Sequence, residues 1–172
     1  MKWFSKIAVA ICVLLPLAAN AQTAPEILGK VKDPNCIYFA HPLNTYDTDL
    51  EKRLLARIVE EFPGKWVLNP NRPDFDAGVQ RYIASHGNPM LFYVIEVLPY
   101  CTGGTVGLPM RDGMWTTGAY LELFEAFKFE YPIYSINADG AIKQLERMPS
   151  GALTIKESRE RMRNPDKSFK PY

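Results

Sequence analysis

The spacing of apolar residues changes several times along the chain, and each change predicts a new element. Short apolar runs of strand length alternate with longer stretches in which apolar residues recur every three to four positions, as on one face of a helix. The predicted strands cover residues 36–40, 66–68, 105–109, 132–136 and 141–145, and the predicted helices cover 48–62, 76–85, 89–98, 118–130 and a last one that follows Thr154.

This order of elements favours a single α/β domain. Helices that separate successive strands connect them in parallel, which places helices on both faces of an open sheet. Asp139-Gly140 is a turn signal between the last two strands, so we expect the sheet to end in a C-terminal hairpin. The predicted organisation is an irregular lead-in over 22–34, the α/β domain over 35–150, and a C-terminal helix with a frayed tail over 151–172.

The first 21 residues have the pattern of a secretory signal peptide. Lys2 and Lys6 precede an apolar run over 7–19, and Ala19-Asn20-Ala21 has the small-residue spacing of a cleavage site. This run of 13 residues is shorter than the roughly 20 that a membrane-spanning helix needs, which makes an uncleaved anchor the weaker alternative. We therefore expect an exported protein, periplasmic or secreted, with no membrane span after cleavage before Gln22.

Composition and charge limit the classes of partner. Removing 21 residues from the 172 leaves 151, with 18 basic and 19 acidic side chains, so the mature chain is nearly neutral. That length is enough for one domain with a buried core. A nearly neutral chain is not expected to bind nucleic acid through bulk positive charge, so any affinity for phosphate has to come from local loops. A homo-oligomer is compatible with the sequence.

Ligands of an open α/β sheet bind beyond the carboxyl ends of its strands. The predicted segments 40–46, 69–76 and 109–118 lie there, and all are rich in polar, glycine or proline residues. His41 can serve in acid-base chemistry or cap a turn, and Asp112 can bind a sugar hydroxyl or form a turn. The candidate substrate-binding residues are His41, Pro42, Asn69, Arg111, Asp112, Gly113, Trp115, Thr116 and Gly118.

Two further residues are candidates for catalysis. Glu122 lies one turn into the predicted helix that follows the third segment, near the positive end of the helix dipole and the mouth of the site. A carboxylate there can act as nucleophile or general base, although acidic residues also favour first turns for dipole reasons alone. Tyr38 lies inside the first strand, and its buried hydroxyl needs a partner, either a carboxylate or a backbone carbonyl.

Several familiar chemistries are absent from the sequence. It contains no phosphate loop ending in Gly-Lys-Ser/Thr, no Gly-x-Gly-x-x-Gly after the first strand, no Cys-x-x-Cys and no Gly-x-Ser-x-Gly. The two histidines are far apart, and no carboxylates cluster at the spacing of metal ligands. We therefore expect no metal site and no cofactor.

The same positions resemble those of the nucleoside 2-deoxyribosyltransferase-like superfamily. Ile37-Tyr38-Phe39-Ala40-His41-Pro42 is similar to the opening strand of that superfamily, and Val67-Leu68-Asn69-Pro70 is similar to the end of its second strand. Leu108-Pro109, Trp115, Gly118-Ala119-x-x-Glu122 and Tyr131-Pro132-Ile133-Tyr134 follow in the order of its Gly-Thr/Ala-x-x-Glu helix and Lys-Pro-Val strand. The resemblance spans residues 36–137 and implies a single Rossmann-like three-layer domain.

The resemblance also implies an activity and a class of ligand. It suggests an exported N-glycosidase or deoxyribosyltransferase-like enzyme that acts on a small nucleoside- or nucleotide-like molecule. Glu122 would attack the anomeric carbon to form a glycosyl-enzyme intermediate, while Tyr38 orients its carboxylate.

The chain departs from the family pattern at three places. Transferases of the family carry an Asp where Thr116 lies, an acid is usual near Cys101-Thr102-Gly103-Gly104, and a small residue is common at His41. A non-catalytic nucleotide- or sugar-binding module of the same fold is therefore the alternative. A third hypothesis is an interaction domain that uses an aromatic surface with Trp115 and Tyr120.

The cysteines of the mature chain predict a disulfide. Only Cys36 and Cys101 remain after signal cleavage, and an exported protein meets an oxidising compartment. Doubly wound strand order places the first and third strands side by side, and the two cysteines lie at the amino ends of those strands. We expect a Cys36–Cys101 bond on the edge of the sheet opposite the ligand site.

Overall fold

The structure is a computed structural model that describes residues 31–172. Its strands are β1 (Cys36–Ala40), β2 (Trp66–Leu68), β3 (Thr105–Gly107), β4 (Ile133–Ile136) and β5 (Ile142–Leu145). They form one sheet in the order β2-β1-β3-β4-β5, parallel except for the antiparallel β4–β5 pair. The predicted α/β class, the open and mostly parallel sheet and the closing hairpin are confirmed. The predicted signal peptide lies outside the described residues.

Within residues 31–172, four regular α-helices connect and flank the strands. They are α1 (Asp49–Glu61), α2 (Asp76–His86), α3 (Thr117–Lys128) and α4 (Ile155–Met162). None of the helices within residues 31–172 is both long enough and apolar enough to cross a membrane.

The helix predicted over 89–98 is irregular. It consists of one α-helical turn (Met90–Phe92), a π-helical stretch (Tyr93–Val97) and a 3-10 turn (Leu98–Tyr100), which we call the composite segment. Pro99 lies in the last of these turns and has no backbone N–H to donate. A regular α-helix could therefore not continue through this position.

The side chains of β1 divide the core into two parts. Tyr38 and Ala40 face α3 and the composite segment, whereas Ile37 and Phe39 face α1. This follows from the two-residue period of a strand, and every residue of β1 is buried. The sheet is therefore covered on both faces, as in the predicted three-layer arrangement.

The chain after α4 packs against the domain. The Lys170 N–H donates to the Met162 carbonyl at 2.9 Å, and the Tyr172 hydroxyl donates to the Pro109 carbonyl. The Tyr172 side chain is half-buried against the core on the α1 face. The expectation of a frayed tail is wrong, because the Tyr172 ring packs against apolar residues of the core.

The predicted disulfide is present. Cys36 is the first residue of β1, Cys101 lies shortly before β3, and their sulfur atoms are bonded with the Cα atoms 4.7 Å apart. Both side chains are buried. The bond joins the amino ends of two neighbouring parallel strands, on the edge opposite their carboxyl ends.

We expect this disulfide to stabilise the fold by about 4 kcal/mol, because it closes a loop of 65 residues in the unfolded chain. Urea unfolding of the oxidised protein with and without reductant measures this difference in the free energy of unfolding. The double variant Cys36→Ala/Cys101→Ala should match the reduced protein and should not respond to reductant. Two free thiols in the intact mass of the protein, purified without reductant, would contradict the assignment.

Candidate functional site

Tyr38 and Glu122 form a buried hydrogen-bonded pair between the sheet and α3. The Tyr38 hydroxyl donates to Glu122 Oε1 at 2.6 Å. Tyr38 is fully buried, and Glu122 is 5% exposed on the face of α3 that also buries Ala119 and Leu123. The Tyr38 hydroxyl thus has a carboxylate partner, one of the two predicted alternatives, and Glu122 is buried rather than exposed at an open mouth.

The residues that begin α3 hold this helix in place. Thr116 is its N-cap, with Oγ1 accepting from the Ala119 N–H at 3.4 Å. A Cβ at Gly118 would lie 3.3 Å from Met90 Sδ, so glycine lets the composite segment approach closely. Trp115 is only 4% exposed and belongs to the core, which excludes it from the aromatic surface of the third hypothesis. These side chains therefore position Glu122 indirectly.

Burial determines the charge of the pair. Burial raises the pKa of Glu122 to about 8, and the hydrogen bond from Tyr38 lowers it only in part. Burial and the nearby Glu122 carboxylate also raise the pKa of Tyr38 well above its usual value, so the phenol remains a donor. Glu122 is consequently a neutral carboxylic acid over most of the range below pH 8.

Two more tyrosines lie close enough to respond to the charge of Glu122. Burial, followed by the Glu122 carboxylate, raises the pKa of Tyr46 well above its usual value and that of Tyr93 to about 12. Tyr46 lies within segment 40–46, but its chemistry gave no reason to select it. Tyr93 lies in the π-helical stretch, which the periodicity of the sequence does not predict.

A second buried carboxylate lies on the opposite face of the sheet. Glu51 on α1 is 4% exposed, and its carboxylate accepts from the Asp47 N–H at 2.8 Å and the Asn69 amide at 3.0 Å. The Asn71 amide also donates to it, and His41 Nε2 lies 2.9 Å from Oε1. We call these five residues the Glu51 cluster.

The hydrogen bonds assign the protons of the Glu51 cluster. His41 Nδ1 lies 3.0 Å from the Phe39 carbonyl, which can only accept, so Nδ1 carries a proton. Burial raises the pKa of Glu51, but the hydrogen bonds from His41, Asn69 and Asp47 outweigh burial and lower it overall. His41 Nε2 lies 2.9 Å from the ionised Glu51 carboxylate, so both ring nitrogens of His41 face an acceptor.

Sequence reasoning missed the role of Glu51. Thr48 and Glu51 have the spacing of a capping box, and Thr48 Oγ1 does accept from the Glu51 N–H at 3.2 Å. The Glu51 side chain does not return to the Thr48 N–H and binds the Asp47 N–H, His41 and Asn69 instead. The capping-box spacing accounts for an acid at position 51 without any contact to other elements, so it gives no sign that Glu51 also binds His41 and Asn69.

Two of the candidate binding residues are engaged in local structure. The Pro42 carbonyl accepts from the N–H and the hydroxyl of Thr45 at 3.0 and 2.6 Å. Asn69 accepts from the Asn71 N–H at 3.1 Å while its amide donates to Glu51. These contacts shape the turns that follow β1 and β2.

The third segment is tied to the end of the chain. Asp112 forms an ion pair with Arg161 on α4, and the hydrogen bond from Arg161 lowers the pKa of Asp112. Arg111 donates to the backbone oxygen of Tyr172 at 2.9 Å. Gly113 has a φ of +80°, which glycine adopts readily in the turn. The structure thus places these three residues away from the Tyr38–Glu122 pair, at the contact with α4 and the tail.

Comparison with known proteins adds no family to this picture. No family model, curated protein or solved structure matches the chain. Within residues 31–172, no three His, Cys, Asp or Glu side chains lie together in a way that could hold a metal ion.

Glu122→Gln should flatten the pH dependence of stability. Because the pKa of Glu122 is raised to about 8 in the folded state from an ordinary 4.5, the wild type loses stability as pH rises between these values. We expect the free energy of unfolding of the wild type to fall by on the order of 3 kcal/mol between pH 5 and pH 8. The variant should not show this loss.

Urea unfolding at a series of pH values measures this difference, with Glu125→Gln on the same helix as the matched control. The control should keep the slope of the wild type, because Glu125 makes a more exposed ion pair with Lys128. Parallel curves for the wild type and Glu122→Gln would contradict the raised pKa.

Glu51→Ala should destabilise the fold by about 3 kcal/mol, because it leaves the buried His41 ring and two amide groups without their acceptor. Chemical denaturation at pH 7 measures the loss. Glu60→Ala on the exposed side of the same helix is the control and should change stability by no more than about 0.5 kcal/mol. Equal effects of the two substitutions would show that the Glu51 cluster contributes nothing.

Proposed function

We propose that this protein is an exported enzyme that breaks the N-glycosidic bond of nucleosides or nucleotides, with Glu122 as its nucleophile. The observation that supports this most strongly is the hydrogen bond of 2.6 Å between the Tyr38 hydroxyl and Glu122 Oε1. It joins the two residues that the resemblance to nucleoside 2-deoxyribosyltransferases pairs, although they are 84 positions apart. Tyr38 serves as the positioning residue of this pair.

The proposed reaction has two displacements at one carbon. An oxygen of the ionised Glu122 bonds to the anomeric carbon as the bond to the base nitrogen breaks, and the base leaves with the electron pair and takes up a proton. The resulting glycosyl ester is then attacked by water or by a second base, which releases Glu122. The Tyr38 hydroxyl holds one carboxylate oxygen and leaves the other to react.

The nucleophile has to be ionised before it can react. Because the pKa of Glu122 is about 8, only a small fraction of the free enzyme carries the carboxylate at pH 6. The rate under kcat/KM conditions should therefore rise with pH and level off above pH 8. Because Glu122 is only 5% exposed, neighbouring side chains have to move before a substrate can reach it. Tyr46 and Tyr93 are such neighbours, since the Glu122 carboxylate raises the pKa of both.

Export is part of the same proposal. A signal-like leader and the Cys36–Cys101 disulfide both fit an oxidising compartment. In such a compartment the substrates would be nucleosides or nucleotides from outside the cytoplasm.

A non-catalytic nucleotide- or sugar-binding module is the second candidate. Thr116 replaces the acid that transferases of the family carry, and its hydroxyl is used as a helix cap. A Glu122 that is neutral at pH 7 and buried against Tyr38 also suits a structural role. This candidate predicts ligands that raise the melting temperature but are never converted.

The enzyme proposal predicts free base from a panel of ribonucleosides, 2-deoxyribonucleosides and their 5-phosphates, followed by chromatography between pH 6 and pH 9. We expect Glu122→Gln to reduce the rate by about a thousandfold or more, since it removes the nucleophile. Tyr38→Phe should cost about ten- to a hundredfold, since the carboxylate remains but loses its orientation.

Glu125→Gln is again the matched control and should keep the wild-type rate. Release of base that persists unchanged in Glu122→Gln would eliminate Glu122 as the nucleophile. No release from any member of the panel, together with a thermal shift by some of them, would favour the binding module instead.

A further inference from the structure

A crevice at the carboxyl edge of the sheet is occupied by the protein's own chain. It lies between the loop that follows β3, the start of α1 and the turn between β4 and β5. Segment 170–172, which we call the tail segment, contributes Pro171 and Tyr172 to its lining. The side chains and backbone that line the remaining space are Thr48, Leu50, Arg53, Arg111, Ala138, Asp139, Pro171 and Tyr172.

Arg111 holds the tail segment through two different kinds of contact. Its Nε donates to the backbone oxygen of Tyr172 at 2.9 Å, and its guanidinium carbon lies 5.5 Å from the centre of the Tyr172 ring. The Tyr172 hydroxyl donates to the Pro109 carbonyl on the same loop. One arginine therefore binds an oxygen and an aromatic face of the same residue.

The free space beside Tyr172 has the size and charge for a small anion. It measures about 330 Å³ and is lined by two arginines, Arg53 and Arg111, against one acid, Asp139. A second space of about 590 Å³ opens on the other side of Arg111 and Tyr172. Tyr172 lines both spaces, so removing its side chain would enlarge the room beside Arg111.

A buried amide at the tail segment lacks one of its partners. Asn44 is 4% exposed, and its amide donates to the Lys170 carbonyl at 3.2 Å. Its Oδ1 has no hydrogen-bond partner within the described part of the chain. A buried acceptor of this kind costs free energy unless a donor reaches it.

We propose that this crevice binds a small aromatic molecule that carries an anionic group, and that the tail segment is its displaceable occupant. The ring would stack on Arg111 in the place of the Tyr172 ring, and the anion would take the place of the Tyr172 backbone oxygen beside Arg111 and Arg53. Tyr172 itself is held by two hydrogen bonds and is only half-buried, so its release costs less than unfolding of the domain.

The inference does not rest on the proposed glycosidase function. Tyr172 packs on the α1 face of the sheet, whereas Tyr38 and Glu122 belong to the α3 face. Binding at the crevice can be measured without turnover. Failure of one proposal therefore leaves the other unaffected.

Calorimetric titration with phenyl phosphate tests the site, with inorganic phosphate and benzyl alcohol as probes of the separate anion and ring. We expect the wild type to bind phenyl phosphate weakly, because the tail segment competes, and Tyr172→Ala to bind it at least tenfold more tightly. Adding Arg111→Gln to Tyr172→Ala should abolish the gain. The control, Arg147→Gln at an exposed position, should not change binding.

Limited trypsin digestion of the wild type provides a second measurement that needs no variant. Phenyl phosphate should speed cleavage after Lys167, because a released tail segment is more accessible. Equal affinities of the wild type and Tyr172→Ala, binding that survives the loss of Arg111, or protection of Lys167 by the ligand would each overturn the proposal. Inorganic phosphate that binds as tightly as phenyl phosphate would overturn the aromatic part of it.

Discussion

The burial of β1 on both faces is the constraint from which the rest of the structure follows. With Tyr38 directed to one face and Phe39 to the other, each face of the sheet needs its own helical cover. A tyrosine in the middle of such a strand brings a hydroxyl into the core, where it has to find an acceptor. Glu122 on α3 is that acceptor, so the packing of α3 and the hydrogen bond of Tyr38 depend on each other.

Burial has opposite outcomes for the charge of the two buried acids, Glu51 and Glu122. Glu51 is surrounded by donors from three separate parts of the chain. Their hydrogen bonds lower the pKa of Glu51, so it stays ionised beside His41. Glu122 has one donor, and burial raises its pKa to about 8. Titratable groups whose environments move their pKa values apart are suited to different tasks. Glu51 is a fixed structural charge, whereas Glu122 is the group whose charge can change near neutral pH.

Much of the fold was predictable because it depends on short-range pattern. The period of apolar residues located all five strands and the helices around them, and doubly wound order brought Cys36 and Cys101 together. What the sequence could not indicate depends on long-range contacts. Trp115 lies in a loop with a glycine turn, yet it is buried. Its backbone forms hydrogen bonds with Gly151 and Leu153, which belong to the chain after β5. The tail, charged and containing prolines, gave no sign that Tyr172 would pack against the domain.

The carboxyl edge of the sheet illustrates how a nearly neutral chain can still offer a charged site. Its polar residues are mostly committed to one another, so a ligand that binds there has to replace a contact that the protein already makes. Replacing the donors around Glu51 would leave a buried charge unpaired, which is strongly destabilising. Replacing Tyr172 at Arg111 disturbs a half-buried ring and two hydrogen bonds, one to Arg111 and one to the Pro109 carbonyl. An exchange of protein for ligand therefore costs less at Tyr172 than at the Glu51 cluster, where it would expose a buried carboxylate to the loss of its donors.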